Sequence, residues 1–442
     1  MGNRRYSEVS VCDMADCRER RVMRQNELIK TLGLPVVSFT MNIAGPVKNS
    51  RLFEFGFAIG LESIAEELGE HAARTEIIRA NTGCEALIAT AIEADELKER
   101  MMRIEANASL GRWYDIDVIG VDGVKKSRPS PRCCIICGRE VTQCARSRAH
   151  SAEELQSKTV EAYIDALSHE LGKLAREALY DEVHLTPKPG LVDERNSGAN
   201  TDMSIGTFER SMEVLEPFFT LMAAEGAAEN NRQHLMHKLQ ELGKEAECAM
   251  LKATDGVNTH RGAIFSLGLI VAAYANAVVN ADAMSEDDDC LSCAAITARA
   301  AELAACQQVE TKENSNGSIV RKTYGVGGAR EQARAGFPTA KRVLSCYDEY
   351  RQRGFFAPWL AGLLTAMAEL DDNNALKRGG SSGAELVKKR AVELLSLGSG
   401  LTIDLLEAFD DELIALNISC GGSADLLACA MLLDKLGKKQ LL

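Results

Sequence analysis

Two periods of hydrophobic and polar positions alternate along the first third of the chain. "PVVSFTMNIAG" and "YDIDVIGV" are rich in β-branched or aromatic residues and run into glycine, which predicts strands. "LFEFGFAIGLESIAEELGEHAAR" and "ADELKERMMRIEANA" repeat apolar positions every three to four residues, which predicts amphipathic helices. Residues 1–25 are polar and show neither period, so a disordered or frayed lead-in is expected there. Strands alternating with helices over residues 26–155 predict an α/β or α+β domain.

The pattern changes near residue 150. "SAEELQSKTVEAYIDALSHELGKLAREALYDEV" is helical throughout, with Ser151 and Glu154 at capping-box spacing. Almost no strand pattern follows, and residues 156–442 predict an all-α domain of Ala- and Leu-rich helices joined by short polar loops. The most apolar run, Gly262–Val279, approaches the length of a membrane span. Its Ala, Gly, Ser, Tyr and Asn content and its lack of flanking anchors favour a buried helix. The acidic "SEDDD" at 285–289 is expected to be a solvated loop.

Composition narrows the function classes. The 442 residues carry a formal net charge of −13, which argues against a coat for nucleic acid or anionic membrane. A phosphate-rich ligand must therefore meet a local basic patch or backbone N–H groups. The N-terminus lacks the apolar core of a signal peptide, and Ser7 falls one place late for myristoylation. The 14 cysteines are scattered without secretory context, so reduced thiols and a cytoplasmic location are expected.

In the N-terminal part, "LGRWYDIDVIG" places Asp115 and Asp117 on one face of a strand and Ile116 and Val118 on the other. Two such carboxylates after Arg112 can hold Mg²⁺ against a triphosphate, or form an acidic edge strand facing solvent. "NIAGPVKNS" turns at Gly45-Pro46 and then offers Lys48, Asn49 and Ser50 as donors to an anion. Cys134, Cys137, Cys144 and His150 make a C-x2-C-x6-C-x5-H series, which suits a structural zinc ion or a reduced, packed thiol cluster.

The C-terminal part has five polar islands between helices. "HLTPKPGLVDERNSGANTDM" holds Lys188, Asp193 and Asp202. "DGVNTHRGAIFSLG" holds Asp255, Asn258, Thr259, His260 and Arg261 at the start of the apolar helix, where free N–H groups favour an anion. "KTYGVGGARE" holds Lys322, Gly327, Gly328 and Arg330. "DDNNALKRGG" holds Asp372, Asn374, Arg378, Gly379 and Gly380. "NISCGGSADLL" holds Gly421, Gly422, Ser423 and Asp425. One Gly-rich loop before a helix is commonly a cap, but five in one helical domain point to a nucleotide site. Neither GxxxxGK[ST] nor GxGxxG occurs, so P-loop and Rossmann sites are not expected.

Together these motifs carry a resemblance. "LTPKPGLVD", "GVNTHRGAIFSLG", "YGVGGARE…GFP", "DDNNALKRGG" and "NISCGGSADLL" resemble the triphosphoribosyl-dephospho-CoA synthase family over about residues 165–435. "VVSFTMNIAGPVKNS", "LGRWYDIDV" and "PRCCIICGREVTQCARSRAH" resemble the holo-citrate-lyase synthases over about 26–155. The chain looks like a fusion of the two.

The resemblance implies two steps. The C-terminal domain would join ATP to 3′-dephospho-CoA, the CoA ribose 2′-hydroxyl displacing adenine at C1 of the ATP ribose. A nucleotidyltransferase-like N-terminal domain would move the phosphoribosyl-dephospho-CoA unit to a serine of the acyl carrier (gamma) subunit of citrate lyase, releasing diphosphate. Asp115 and Asp117 would bind Mg²⁺, while Arg112 and Lys48 would stabilise the triphosphate. Asp193, Asp202, Asp255, His260, Asp372 and Asp425 are the candidates to assist loss of adenine, with the base unassigned. Where relatives commonly have Lys, Thr and Pro, this chain has Arg261, Asn373 and Cys420, and Lys377 replaces a Ser or His. The equivalent system of malonate decarboxylase and a non-catalytic nucleotide-binding scaffold are the alternatives. Neither nucleic acid nor membrane is an expected partner.

Overall fold

A computed structural model describes residues 8–129, 131–280, 290–307 and 323–441. Lys322 and the acidic 285–289 stretch lie outside the described residues. The chain divides into two compact units. One runs up to Leu167 and includes Lys439 onward; the other runs from Ser168 to Lys438. The change therefore falls within a helix, twelve residues beyond the expected 155/156 boundary.

The first unit is built on strands β1 (Val36–Met41), β2 (Ala72–Ala80), β3 (Gly83–Thr90) and β4 (Tyr114–Ile119), in the order β2-β3-β1-β4. Every pairing is antiparallel, so of the two expected classes α+β is the one adopted. Helices α1 (Val11–Leu32), α2 (Arg51–Leu68), α3 (Ala94–Asn107) and α4 (Val141–Ser147) complete it, with the first half of α5 (Ala152–His184). Phe39 of β1 stacks on Phe57 of α2 and meets Tyr114 edge-on, which fixes the core face of the sheet.

Two expectations need correction here. The lead-in is helical from Val11: Ser10 and Asp13 form a reciprocal capping box, and only Cys17, Leu28 and Ile29 are buried, too few to show a stripe. Leu28 and Ile29 near its C-terminal end pack with Val36, Leu87, Ala89 and Ile119, and Arg21 and Arg24 pair with the buried Glu85 of β3. The helix expected to run to Arg74 ends at Leu68, and the hairpin β2–β3 follows. Strand β2 is exposed along most of its length and charged, so its sequence lacks an alternating signal.

The second unit has no strand among its described residues. It contains the second half of α5, then α6 (Ile205–Ala228), α7 (Arg232–Ala253), α8 (Arg261–Asn280) and α9 (Cys293–Ala305). Further on come α10 (Gly328–Arg334), α11 (Pro338–Gln352), α12 (Pro358–Glu369), α13 (Asn373–Ser396), α14 (Ile403–Ala415) and α15 (Gly421–Leu441). The apolar run forms α8, whose residues are largely buried in the unit, as a core helix requires.

Helices α6 and α8 approach closely at Gly226. A Cβ there would lie 2.3 Å from the Ala272 carbonyl oxygen, which is backbone and cannot turn aside. Gly226→Ala is expected to cost about 1–3 kcal/mol through overpacking. Urea unfolding of the two proteins measures it, and an unchanged or higher midpoint would contradict this packing.

Candidate active sites

In the second unit the polar islands are far apart in sequence but line one cavity of about 1420 Å³. That exceeds the ~300–1,000 Å³ of a typical small-molecule site, which suits two nucleotide-sized substrates. The first island contributes Lys188, Asn200 and Asp202. The second contributes Asp255, Asn258, Thr259, His260 and Arg261, and the third Gly327, Gly328 and Arg330. The fourth and fifth add Asn374, Lys377, Arg378, Gly421, Gly422 and Asp425.

Asp425 lies one turn into α15, against the N-terminal turn of α8. A Cβ on Gly262 would sit 2.0 Å from its Oδ2, so only glycine allows this approach. Its carboxylate accepts from the Ala263 N–H. Burial, then the nearby Glu182 and Asp372 charges, nevertheless raise Asp425 well above the usual carboxylate range. Glu182, in the last turn of α5, is buried, lines the cavity and receives Lys188 Nζ at 2.6 Å.

His260 is buried, and its Nδ1 lies 2.7 Å from Ser211 Oγ. Burial and the Lys188 charge push it down to about 3, so the ring is neutral near neutral pH. Its Nε2 is buried without a hydrogen-bond partner.

In the first unit, Asp115 and Asp117 sit on β4 opposite Thr40 and Ser38 of β1, partly exposed, while Tyr114, Ile116 and Val118 are buried. β4 is an edge strand, and side chains of α3 satisfy its outer edge: Lys98 Nζ donates to the Ile116 carbonyl at 2.9 Å, and the Ile116 N–H donates to Glu105 at 3.2 Å. Arg128 and Arg132 pair with Glu105, and Arg132 also reaches Asp115 at 3.9 Å. Lys125 pairs with Asp117 at 2.5 Å. Burial and the charge of nearby Arg132 lower the Arg112 guanidinium, so two arginines crowd one place, and Arg132 reaches the Asp115 carboxylate. Such crowding is tolerable where an anion binds.

The ATP:dephospho-CoA triphosphoribosyl transferase family model matches residues 146–442. The chain belongs to that family. The model for apo-citrate lyase phosphoribosyl-dephospho-CoA transferase matches residues 9–166. Protein CitXG of Haemophilus influenzae is 33% identical over 96% of this chain and 95% of its own length. A 2-(5''-triphosphoribosyl)-3'-dephosphocoenzyme-A synthase of Haemophilus ducreyi is 35% identical over 66% of this chain and 97% of its own. A probable synthase of the same name from Pseudomonas syringae pv. syringae is 42% identical over 61% and 92%. The chain is thus a transferase with two activities in synthesis of the citrate lyase prosthetic group, a synthase unit following a transferase unit.

The synthase cavity sorts the sequence-derived residues. Asp193 does not line it. It accepts from the backbone N–H groups of Lys188, Arg195 and Asn196 and closes its own loop. Asp372 does not line it either. It caps α13 through Asn374 and Ala375 and binds Ser423 by both N–H and hydroxyl, so Asp372 and Ser423 serve one another. Gly379 packs on Ile418, and Gly380 marks a break in α13; both lie off the cavity wall. These corrections share a cause. A loop that carries an active-site residue must also satisfy its own N–H groups, and short acids do that work.

The basic residues sort likewise. Lys188 lines the cavity, but its charge is engaged by Glu182. Arg261 pairs with Glu247 at 3.1 Å, and Arg378 donates to Ala199 O and Asn200 Oδ1, both at 2.6 Å. Arg330 and Lys377 line the cavity without a hydrogen-bond or ion-pair partner among the described residues. Among the described residues of the five islands they are the cations left to meet phosphate. Glu182 was missed because it sits inside a continuous helical pattern. Its one sequence signal is its place three residues before the loop begins.

In the transferase unit, Asn49 donates to Glu54 and to the Ala80 carbonyl, and Ser50 caps α2. Both are occupied by the fold rather than open to an anion. Lys48 Nζ donates to the Ile43 carbonyl at 2.7 Å, and burial followed by the charge of Arg18 lowers it.

Proposed function

We propose that the synthase unit makes 2′-(5″-triphosphoribosyl)-3′-dephospho-CoA from ATP and 3′-dephospho-CoA with Asp425 as proton donor. As the CoA ribose 2′-hydroxyl displaces adenine, the C1–O bond forms and the C1–N bond breaks; the hydroxyl loses its proton to water and adenine must take one. A carboxyl group raised by burial and neighbouring charge suits that donation. Glu182 supplies negative charge to the oxocarbenium-like ribose. Arg330 and Lys377 hold the triphosphate, with Asp202, Asn258 and Thr259 as further polar wall. The observation that carries this reading is the gathering of all five islands around Asp425.

The transferase unit then passes the phosphoribosyl-dephospho-CoA unit to a serine of the gamma subunit of citrate lyase, in a nucleotidyltransferase-like manner. Asp115 and Asp117 offer hard oxygen ligands on one face of β4, and the exposed Lys125 that pairs with Asp117 can be displaced by a cation. Mg²⁺ held there would offset the charge of the triphosphate. Arg112 and Arg132 would orient the phosphates. The cytoplasm is the proposed location, in keeping with free thiols at every cysteine.

Incubation with ATP, dephospho-CoA, Mg²⁺ and apo carrier is expected to release adenine and diphosphate and to add the phosphoribosyl-dephospho-CoA mass to the carrier. A parallel reaction with the malonate decarboxylase carrier tests the choice of acceptor. Stronger modification of that carrier would overturn the citrate lyase assignment.

A further inference from the structure

We propose that Cys134, Cys137, Cys144 and His150 bind a structural zinc ion that seats Arg132 beside Asp115. The four side chains bring their ligand atoms within 4.8 Å of one another. Cys137 Sγ and Cys144 Sγ are 3.9 Å apart. A disulfide would require about 2.05 Å. Tetrahedral zinc with Zn–S of about 2.3 Å spaces its sulfurs by roughly 3.8 Å. Three thiolates and an imidazole are a common zinc set, and their softness disfavours Mg²⁺ or Ca²⁺.

Two independent observations point to a ligand. His150 Nε2 is buried and has no hydrogen-bond partner, the position of a nitrogen whose lone pair awaits a metal. The Ile136 N–H donates to Cys134 Sγ at 3.4 Å, an outer-shell contact that favours thiolate. From Pro131 to His150 the only buried residues are Cys134 and Cys144. A segment with no apolar core of its own needs a staple, and here the buried residues are themselves the ligands.

The staple acts on the transferase site through the backbone. Arg132 is two residues before Cys134, and its carbonyl accepts from the Val141 N–H of α4, the helix that carries Cys144. Its guanidinium pairs with Glu105 and stands 3.9 Å from Asp115. Arg132 is thereby a positioned phosphate ligand. This part rests on the transferase reading above; the zinc site does not.

Elemental analysis of the purified full chain is expected to find one zinc per chain. Cys144→Ser and His150→Ala should lose it, and Co²⁺ exchanged into the site should show the visible absorption of a tetrahedral thiolate complex. A substoichiometric zinc content that added Zn²⁺ does not restore would overturn the site. So would a Cys137–Cys144 disulfide, or full zinc in both variants.

For the positioning role, Arg132→Ala and chelation of the zinc should each raise KM for the triphosphoribosyl intermediate roughly ten- to a hundredfold, the loss of one charge-assisted contact. Adenine release should not change. An unmoved KM would remove the role of Arg132. Stoichiometric zinc in a protein that modifies no carrier would instead refute the transferase reading and leave the zinc site standing.

Discussion

Asp425→Asn is expected to slow adenine release from ATP by about 10²–10⁴-fold, the usual worth of a positioned proton donor. The substitution keeps the shape and removes the transferable proton. Folding should survive it, because the native carboxyl is raised by burial and by Glu182 and Asp372 and so tends towards the neutral form that Asn imitates. Adenine is measured by chromatography with ATP and dephospho-CoA, and the melting temperature is followed in parallel.

The pH profile is the sharper test. With the acid form as the proposed donor, the rate should fall as pH rises through the raised Asp425 value. In the Asn variant that limb should vanish. A variant that releases adenine at the parent rate, or keeps the alkaline limb, would remove Asp425 from this role. A parent-like rate in Asp425→Asn together with loss in Glu182→Gln would move the proton to Glu182.

Asp115→Asn is expected to abolish carrier modification while leaving adenine release intact. Removing one of two carboxylates from the proposed triphosphate site should cost at least about 10²-fold in transfer rate, an effect comparable to losing a catalytic electrostatic group. The fold should tolerate it, since the Asp115 side chain is about half exposed and its ion-pair partner Arg132 keeps Glu105. Supplying the triphosphoribosyl intermediate directly separates the two reactions. Carrier mass and diphosphate then report the second alone. Full modification of the carrier by both Asp115→Asn and Asp117→Asn would place the transferase chemistry elsewhere. Loss of adenine release as well would mean that the halves are not chemically independent.

The placements legible in sequence were those that local pattern decides. Asp115 and Asp117 alternate with buried Ile116 and Val118, so the strand period alone puts both acids on one face. The spacing of Cys134, Cys137, Cys144 and His150 was also readable, because a knuckle is a local structure. The α1 helix and the β2–β3 hairpin were not, because α1 buries only three residues, two of them at its end, and partner strands hold the exposed β2. Glu182 was hidden for a related reason: it belongs to the helix by pattern and to the cavity by position.

The sequence by itself determined that two domains of different class follow one another, that the second is helical, and that it carries five loops rich in groups for nucleotide chemistry. Those are consequences of local periodicity and turn chemistry, which neighbouring residues decide among themselves. Tertiary structure alone decided which acids line the cavity. It turned Asp193 and Asp372 to their own loop and helix N–H groups, and engaged Lys188 with Glu182. It also brought Asp425 against Gly262. A side chain's protonation and its freedom to meet substrate depend on what other segments place around it, and that becomes known only when the chain has packed.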